Sequence, residues 1–144
     1  MSIDVYPNST QYFVTSSFNT DEDSGIKFWI LKKGQTGKVE PHYLYDLQGG
    51  HQKAINCVRF APNGNYLASC SDDQLVIIWS LKSVPVEFGK KEDGIQWGQP
   101  RQLRGHVGDV MDLCWSNDSS YLVSGSLDGS AILWSIKEGK YVKI

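Results

Sequence analysis

The sequence predicts an all-β fold of about three four-stranded antiparallel units placed one after another. Two observations support this prediction: a segment that recurs along the chain, and short runs of β-branched and aromatic residues separated by turn residues. The 144 residues are 40% hydrophobic and 12% aromatic, which is enough apolar material for a core. The apolar runs are too short for helices and lack the helical period.

The recurring segment has two close copies and one weaker copy. Residues 50–82 align without a gap with residues 105–137 at an offset of 55, and eleven of the 33 aligned positions are identical. Composition alone gives about two identities over that length. At the front of the chain, residues 2–8 follow the register of residues 57–63, but this copy lacks the Gly-His pair of the other two. We therefore expect the chain to start inside a repeat.

Each copy contains three predicted strands, and a fourth precedes the next Gly-His pair. Turn residues separate the strands, as at Pro62-Asn63-Gly64 and at Asp72-Asp73. Three copies give twelve strands. In the second copy the first three strands are residues 55–60, 66–70 and 75–80, and the fourth strands of the three copies are residues 43–47, 101–104 and 141–144.

Four-stranded antiparallel units in tandem are typical of β-propeller blades, which bury both faces against their neighbours. The predicted blades are residues 1–48, 49–104 and 105–144. Segments 32–40 and 83–98 are rich in Gly, Lys and Glu and are predicted to be solvated insertions. Closed propellers have about four to eight blades. We therefore expect this chain to be a fragment of a longer propeller or to associate with other chains.

The repeats carry a motif of fixed spacing. His51 and His106 each follow a glycine and stand 28 residues before Trp79 and Trp134, with an aspartate between them. This order resembles WD40 repeats, although a serine follows each tryptophan where that family often has aspartate. The resemblance implies two hydrogen-bonded sets that hold the blades and do not react. These structural sets are His51, Ser69, Asp73 and Trp79, and His106, Ser124, Asp128 and Trp134.

Within the WD40 class, the order of several blocks resembles the amino-terminal propeller of HIRA-like histone-chaperone subunits. The blocks are Asp23 to Trp29, Val58 to Phe60, Tyr66 to Ser69, the insertion with Phe88-Gly89 and Gln96-Trp97, and Gly108 to Asp112. The chain is similar, less closely, to the B subunit of the chromatin assembly factor. The resemblance implies a nuclear, non-enzymatic scaffold for protein interactions in histone deposition and nucleosome assembly. The implied partners are subunits of a histone chaperone complex, core histones reached through other subunits, and the remaining blades of the same protein.

The repeat by itself does not specify a partner. A substrate-recognition or adaptor module of a ubiquitin ligase, or of another multiprotein complex, is the alternative function. Propellers usually bind partners across the top face, at positions three and five after each histidine and before each turn aspartate. On this chain those positions are Ala54, Asn56, Asp72, Asp109, Met111 and Leu127. Asp72 and Asp109 make this surface acidic and suited to a basic peptide, or they are ordinary solvated turn residues.

The remaining motifs predict no catalytic, metal or cofactor site. The chain has no glycine-rich phosphate loop and no CxxC pair, and Cys57, Cys70 and Cys114 fall inside strands, where cysteine is usually a small buried hydrophobe. A net charge of −2 argues against strong nucleic-acid binding, and no apolar run is long enough for a membrane span. Trp97, in the second insertion, either folds back over a hydrophobic edge or anchors a partner.

Overall fold

The computed structural model describes residues 1–17, 25–47, 50–82 and 96–144. In these ranges the chain forms thirteen β-strands and no helix, which confirms the all-β prediction. The strands are β1 (Ile3–Val5), β2 (Tyr12–Ser16), β3 (Ile26–Lys33), β4 (Val39–Leu47), β5 (Ile55–Phe60), β6 (Tyr66–Ser71), β7 (Val76–Lys82), β8 (Gln96–Trp97), β9 (Arg101–Leu103), β10 (Val110–Trp115), β11 (Tyr121–Ser126), β12 (Ala131–Ser135) and β13 (Tyr141–Lys143).

The strands form three antiparallel sheets in chain order. Blade one is the sheet β1-β2-β3-β4, and blade three is the sheet β10-β11-β12-β13. Blade two is the sheet β5-β6-β7-β9, and the short β8 also pairs with the end of β7. Blades one and three are meanders in which strands adjacent in sequence are adjacent in space, whereas in blade two β9 follows β8 in sequence but pairs with β7. The prediction of antiparallel four-stranded units in tandem is confirmed.

Residues 32–40 are exposed, as predicted for a solvated insertion, but the prediction of an irregular loop is wrong, because most of this segment is a hairpin. Lys32 pairs with Glu40 and Lys33 pairs with Val39, so β3 and β4 extend beyond the body of blade one. A turn at residues 34–38 joins them, with Gly37 at φ +81°. Charged residues suit both faces of a hairpin that projects into solvent, and composition alone did not separate that hairpin from a loop.

The second insertion also ends in a strand. Its residues 83–95 lie outside the described part of the chain, but Leu81 pairs with Trp97 through β8, which is the strand beyond the twelve predicted. Trp97 is 8% exposed, and its ring centroid lies 5.9 Å from that of Phe28 and 6.0 Å from that of Phe60. Trp97 therefore folds back over the junction of blades one and two, the first of the two alternatives expected for it.

Two hydrophobic cores lie on the two sides of blade two. Side chains of a strand alternate between the faces of its sheet, so Leu67 and Trp79 point toward blade one while Ala68 and Ile78 point toward blade three. The one–two core consists of Val14, Ile26, Phe28, Ile55, Val58, Phe60, Leu67, Ile77, Trp79 and Trp97. The two–three core consists of Cys57, Ala68, Cys70, Val76, Ile78, Val110, Leu113, Leu122, Ile132, Trp134 and Ile136.

The outward faces of blades one and three expose apolar side chains. Blade one exposes Ile3 and Val5, and blade three exposes Val123 and Val142. Cys114 also lies on the exposed face of blade three, so the prediction of a buried cysteine is wrong at this position, while Cys57 and Cys70 are buried. The reason is that Cys114 occupies a strand position that only a further sheet would cover.

Candidate functional site: buried histidine sets and the rim beside them

The structure brings together the four side chains of the set in blade two. His51 Nδ1 lies 2.9 Å from Asp73 Oδ2, and His51 Nε2 lies 2.8 Å from Ser69 Oγ. The Trp79 indole N–H also donates to Ser69 Oγ, at 3.4 Å. A neutral imidazole that carries its proton on Nδ1 satisfies every member, because Ser69 accepts from Trp79 and donates to Nε2.

Blade three repeats the set with a different balance of contacts. His106 Nε2 and the Trp134 indole nitrogen each lie 2.8 Å from Ser124 Oγ, while His106 Nδ1 lies 3.2 Å from Asp128 Oδ2. Ser130 hydrogen-bonds to Asp128 as well. In both blades the two ring nitrogens of the histidine are engaged and the ring is buried. Neither histidine has a nitrogen left for a substrate or a metal ion, which agrees with a structural role.

Both aspartates are stabilised in the ionised form. Burial favours the neutral form of Asp73, but hydrogen bonds from His51 and from two backbone amides outweigh it and hold the pKa of this carboxyl below its usual value of 3.8. The Ser130 hydroxyl and the Val107 amide hold the pKa of Asp128 well below the same value. The carboxylates are therefore fixed acceptors near neutral pH and have no proton to donate as acids.

The glycine before each histidine is required by close packing. A Cβ atom on Gly50 would lie 2.6 Å from Trp79 Cζ2. A Cβ atom on Gly105 would lie 2.9 Å from Ile132 Cδ1 and 3.0 Å from Trp134 Cη2. Each tryptophan ring thus packs directly on the backbone of the Gly-His pair, which explains why these residue types recur together.

A bulge in the first strand of blades two and three shapes the candidate binding surface. The pairing of β5 with β6 shifts between Ile55 and Cys57, and that of β10 with β11 shifts between Val110 and Asp112. Asn56 and Met111 are therefore the extra residues of the two bulges, and such residues are turned out of the regular pleat. Both were predicted to lie on the partner-binding surface.

The six predicted surface residues fall into two adjoining groups. Asn56 Nδ2 donates to Asp72 Oδ1 at 2.7 Å and to the Val110 carbonyl at 2.9 Å, and it lies 3.7 Å from Met111 Sδ. The Ala54 carbonyl accepts from the Asp72 amide, which completes the first group. In the second group, the Leu127 amide donates to the Asp109 carbonyl at 2.9 Å. The bond from Asn56 to Val110, the neighbour of Asp109, joins the two groups into one rim.

The rim combines acidic and apolar side chains. Leu127 is 70% exposed, and Met111 is also exposed. Val107, which is 73% exposed, lies next to them, because its amide and the His106 ring meet at Asp128. Sequence reasoning missed Val107; the available signal was an apolar residue directly after the repeat histidine, where the preceding copy has Gln52. We call Ala54, Asn56, Asp72, Val107, Asp109, Met111 and Leu127 the rim.

The described residues offer no other built site. No three histidine, cysteine, aspartate or glutamate side chains among them are grouped as metal ligands would be. None of the described segments is a helix long and apolar enough to cross a membrane.

Comparison with known proteins identifies the family. Residues 1–144 match the family model described as the CAF1B/HIR1 beta-propeller domain. The chain is 38% identical over 131 residues to the B subunit of chromatin assembly factor 1 from Gallus gallus, and the match covers 85% of this chain and 23% of that protein. It is 39% identical over 124 residues to protein HIRA of Zea mays, covering 81% of this chain and 13% of that protein.

A third relative is protein hir1 of Schizosaccharomyces pombe, which is 46% identical over 90 residues, covering 59% of this chain and 10% of that protein. The chain thus spans less than a quarter of the length of these relatives. The match to the family model covers every residue, and the structure supplies the blades that the family name describes. The chain belongs to the CAF1B/HIR1 beta-propeller family.

Proposed function

We propose that this chain is part of a non-enzymatic propeller scaffold that binds other proteins during histone deposition and nucleosome assembly in the nucleus. The observation that carries the proposal is the family match over the whole chain, together with relatives named as HIRA and as the B subunit of chromatin assembly factor 1. The histidine sets support the non-enzymatic part of the proposal, because both ring nitrogens of His51 and of His106 are hydrogen-bonded to side chains of their own blade.

Recovery of partners from nuclear extract tests this proposal. The parent protein, tagged and purified together with what it binds, should bring down core histones and subunits of a histone chaperone complex. Recovery of ubiquitin-ligase subunits without histones would overturn the chromatin function and favour the alternative adaptor role. Fluorescence microscopy of the tagged protein should place it in the nucleus, and exclusion from the nucleus would contradict the proposal.

The rim is the proposed docking surface for a basic, partly apolar peptide segment. Asp72 and Asp109 supply negative charge, while Met111, Leu127 and Val107 supply exposed apolar area beside it. Charge complementarity favours Lys/Arg-rich partners and steers their approach, and the apolar side chains add contact area. Histone tails and basic segments of chaperone subunits have this chemistry.

Charge reversal separates the rim from the rest of the surface. The variant Asp72→Lys with Asp109→Lys should weaken binding of a fluorescent Lys/Arg-rich histone-tail peptide by about tenfold, and the loss should shrink as salt is raised. Glu40→Lys with Glu138→Lys is the matched control, because it also reverses two charges and both residues are exposed outside the rim. Equal affinity of the rim variant and the control would exclude the rim as the docking surface, provided that tryptophan fluorescence shows both variants folded.

We also propose that further blades of the parent protein cover the outward faces of blades one and three. Exposed apolar residues on both faces support this, among them Val5 and Val123, as does the short span of the chain relative to its relatives. The isolated chain should then self-associate in sedimentation experiments. A monodisperse monomer with a sharp unfolding transition would contradict this proposal.

A further inference from the structure

Two cysteines face each other across the sheet of blade two. Cys57 of β5 and Cys70 of β6 are directly opposite in the antiparallel register, and both are buried. Directly opposed residues of antiparallel strands have Cα atoms about 4.5 to 5.5 Å apart. This separation falls within the range of about 4.4 to 6.8 Å that disulfide bonds require. The register therefore places the two residues at a Cα separation that permits a disulfide bond.

The Cys57 thiol is hydrogen-bonded to a side chain at the protein surface. It donates to Asp112 Oδ1 at 3.3 Å. The Asp112 side chain is 75% exposed and lies 3.7 Å from the Arg59 guanidinium. The neighbouring Cys70 side chain and the Arg59 guanidinium lower the pKa of the Cys57 thiol against the opposing effects of burial and of the bond to Asp112, whereas Cys57 and burial raise the pKa of Cys70. A proton leaving Cys57 thus has an acceptor, Asp112, that is in contact with water.

We propose that Cys57 and Cys70 are a modification site at which peroxide forms a cross-strand disulfide. In the first step the Cys57 sulfur attacks one oxygen of hydrogen peroxide, the O–O bond breaks, and a sulfenic acid and water result. In the second step the Cys70 sulfur attacks the Cys57 sulfur, the S–O bond breaks, and a second water leaves. Two thiols are oxidised and one peroxide is reduced, giving one disulfide and two waters.

The proposed bond changes the contact between blades two and three. Reduced Cys57 donates its thiol proton across the blade boundary to Asp112 of β10. The disulfide has no such proton, so that hydrogen bond is lost and the Asp112 carboxylate is left with Arg59 as its partner across the boundary. At the same time the bond ties β5 to β6 inside blade two. Oxidation therefore stiffens one blade and loosens its contact with the next.

Cys114 provides a contrast within the same chain. It is exposed, and the residue opposite it on β11 is Val123, so it has no thiol partner across the sheet. Peroxide should convert Cys114 to oxidised acids or to bonds between chains, and those products must be kept apart from the internal disulfide. The variant Cys114→Ser removes them and leaves Cys57 and Cys70 as the remaining cysteines.

Peptide mapping of the full chain carrying Cys114→Ser tests the proposal. After peroxide treatment, alkylation and digestion without reductant, mass spectrometry should find Cys57 and Cys70 in one linked product lighter by two hydrogens, and reductant should restore two alkylated peptides. In urea, where the thiols are exposed but no longer held opposite each other, the linked product should make up a smaller share of the oxidised cysteines. Recovery of both cysteines as alkylated thiols, or of Cys57 as a sulfinic acid with Cys70 unlinked, would overturn the proposal.

Discussion

Blades two and three carry the same repeat 55 residues apart, yet their strands are buried to different extents. Ala68 in β6 is fully buried, whereas Val123, its counterpart in β11, is 38% exposed although its side chain is larger and more apolar. Ile78 in β7 is also buried, while its counterpart Leu133 is only partly covered. Burial at these positions is set by the neighbouring sheet, because blade two has a neighbour on each side.

The difference shows that each repeat has two kinds of position, one on each face of its sheet. The polar sets lie on the face that packs on the preceding blade, and that face is covered in both copies, so Ser69 and Ser124 are equally inaccessible. Val123 and Leu133 lie on the opposite face of blade three, which no other described sheet covers. Hydrogen bonds within a repeat form in both places, whereas burial depends on the neighbouring sheet.

A charge placed at one of the inter-blade positions should give the largest contrast. Ala68→Asp should destabilise the chain by more than about 3 kcal/mol, because it buries an unpaired carboxylate between blades two and three. Val123→Asp should cost no more than about 1 kcal/mol, the span of strand propensities. Urea unfolding followed by tryptophan fluorescence measures both. The comparison is made at a concentration dilute enough for sedimentation to show a monomer, because self-association would cover Val123. Equal losses there would contradict the assignment of Val123 to an uncovered face.

Alanine at the repeat glycines should give the next largest effect. Gly50→Ala and Gly105→Ala should each cost about 1 to 3 kcal/mol through overpacking against the tryptophan. The cost should be greater for Gly50, whose added Cβ would approach the ring to 2.6 Å. Gly125→Ala is the control, because a Cβ there has nothing within 4 Å. Thermal unfolding gives the order, and a Gly125 variant as unstable as the other two would refute the packing explanation.

Removal of the indole N–H should lower the free energy of unfolding by different amounts in the two polar sets. This difference should be smaller than the effects of the substitutions above. Trp134→Phe should lose more stability than Trp79→Phe, by about 0.5 to 1.5 kcal/mol. The reason is that the bond to Ser124 is 2.8 Å long, whereas the bond to Ser69 is 3.4 Å long. Both substitutions remove the same volume, so that loss cancels in the comparison. Urea midpoints in which the Trp79 variant is the less stable would contradict this reading of the geometry.

Acid should weaken both sets to a modest degree. Asp73 and Asp128 have pKa values below their usual 3.8 in the folded chain, so the unfolded chain binds more protons as pH falls below about 4. The stability that they contribute is present above that pH and is lost as pH drops through each folded pKa. Asp73→Asn and Asp128→Asn should therefore flatten the decline of urea midpoints between pH 6 and pH 3. A slope unchanged by both substitutions would contradict this assignment.

The fold class was predictable because its determinants are local and repeated. Strand length, turn residues and the offset of 55 residues are all visible in the sequence, and the strands assigned in one copy support those assigned in the other. The structural sets were implied by the resemblance to WD40 repeats, which rests on the 28-residue spacing that recurs from His51 to Trp79 and from His106 to Trp134. Residues that satisfy one another inside a blade must appear together in each copy.

Features that depend on contacts outside the repeat could not be predicted. Trp97 stands in a polar insertion, and the sequence does not contain the position of the Phe28 and Phe60 rings that it covers. The sequence around Cys114 is typical of a buried strand. Its exposure follows from the absence of a described sheet on that side of blade three. Val107 was missed because its exposure is set by the turn that holds Asp128.

Blade two contributes alternate side chains of the same strands to both cores, with Leu67 on one side and Ala68 on the other. Detaching it would open two interfaces at once, whereas either outer blade can detach by opening one. Within the three described blades, the middle one should therefore be the last to lose hydrogen-exchange protection. In such an array the middle repeat is stabilised by contacts with both neighbours. The intrinsic stability of its own sequence therefore matters least there.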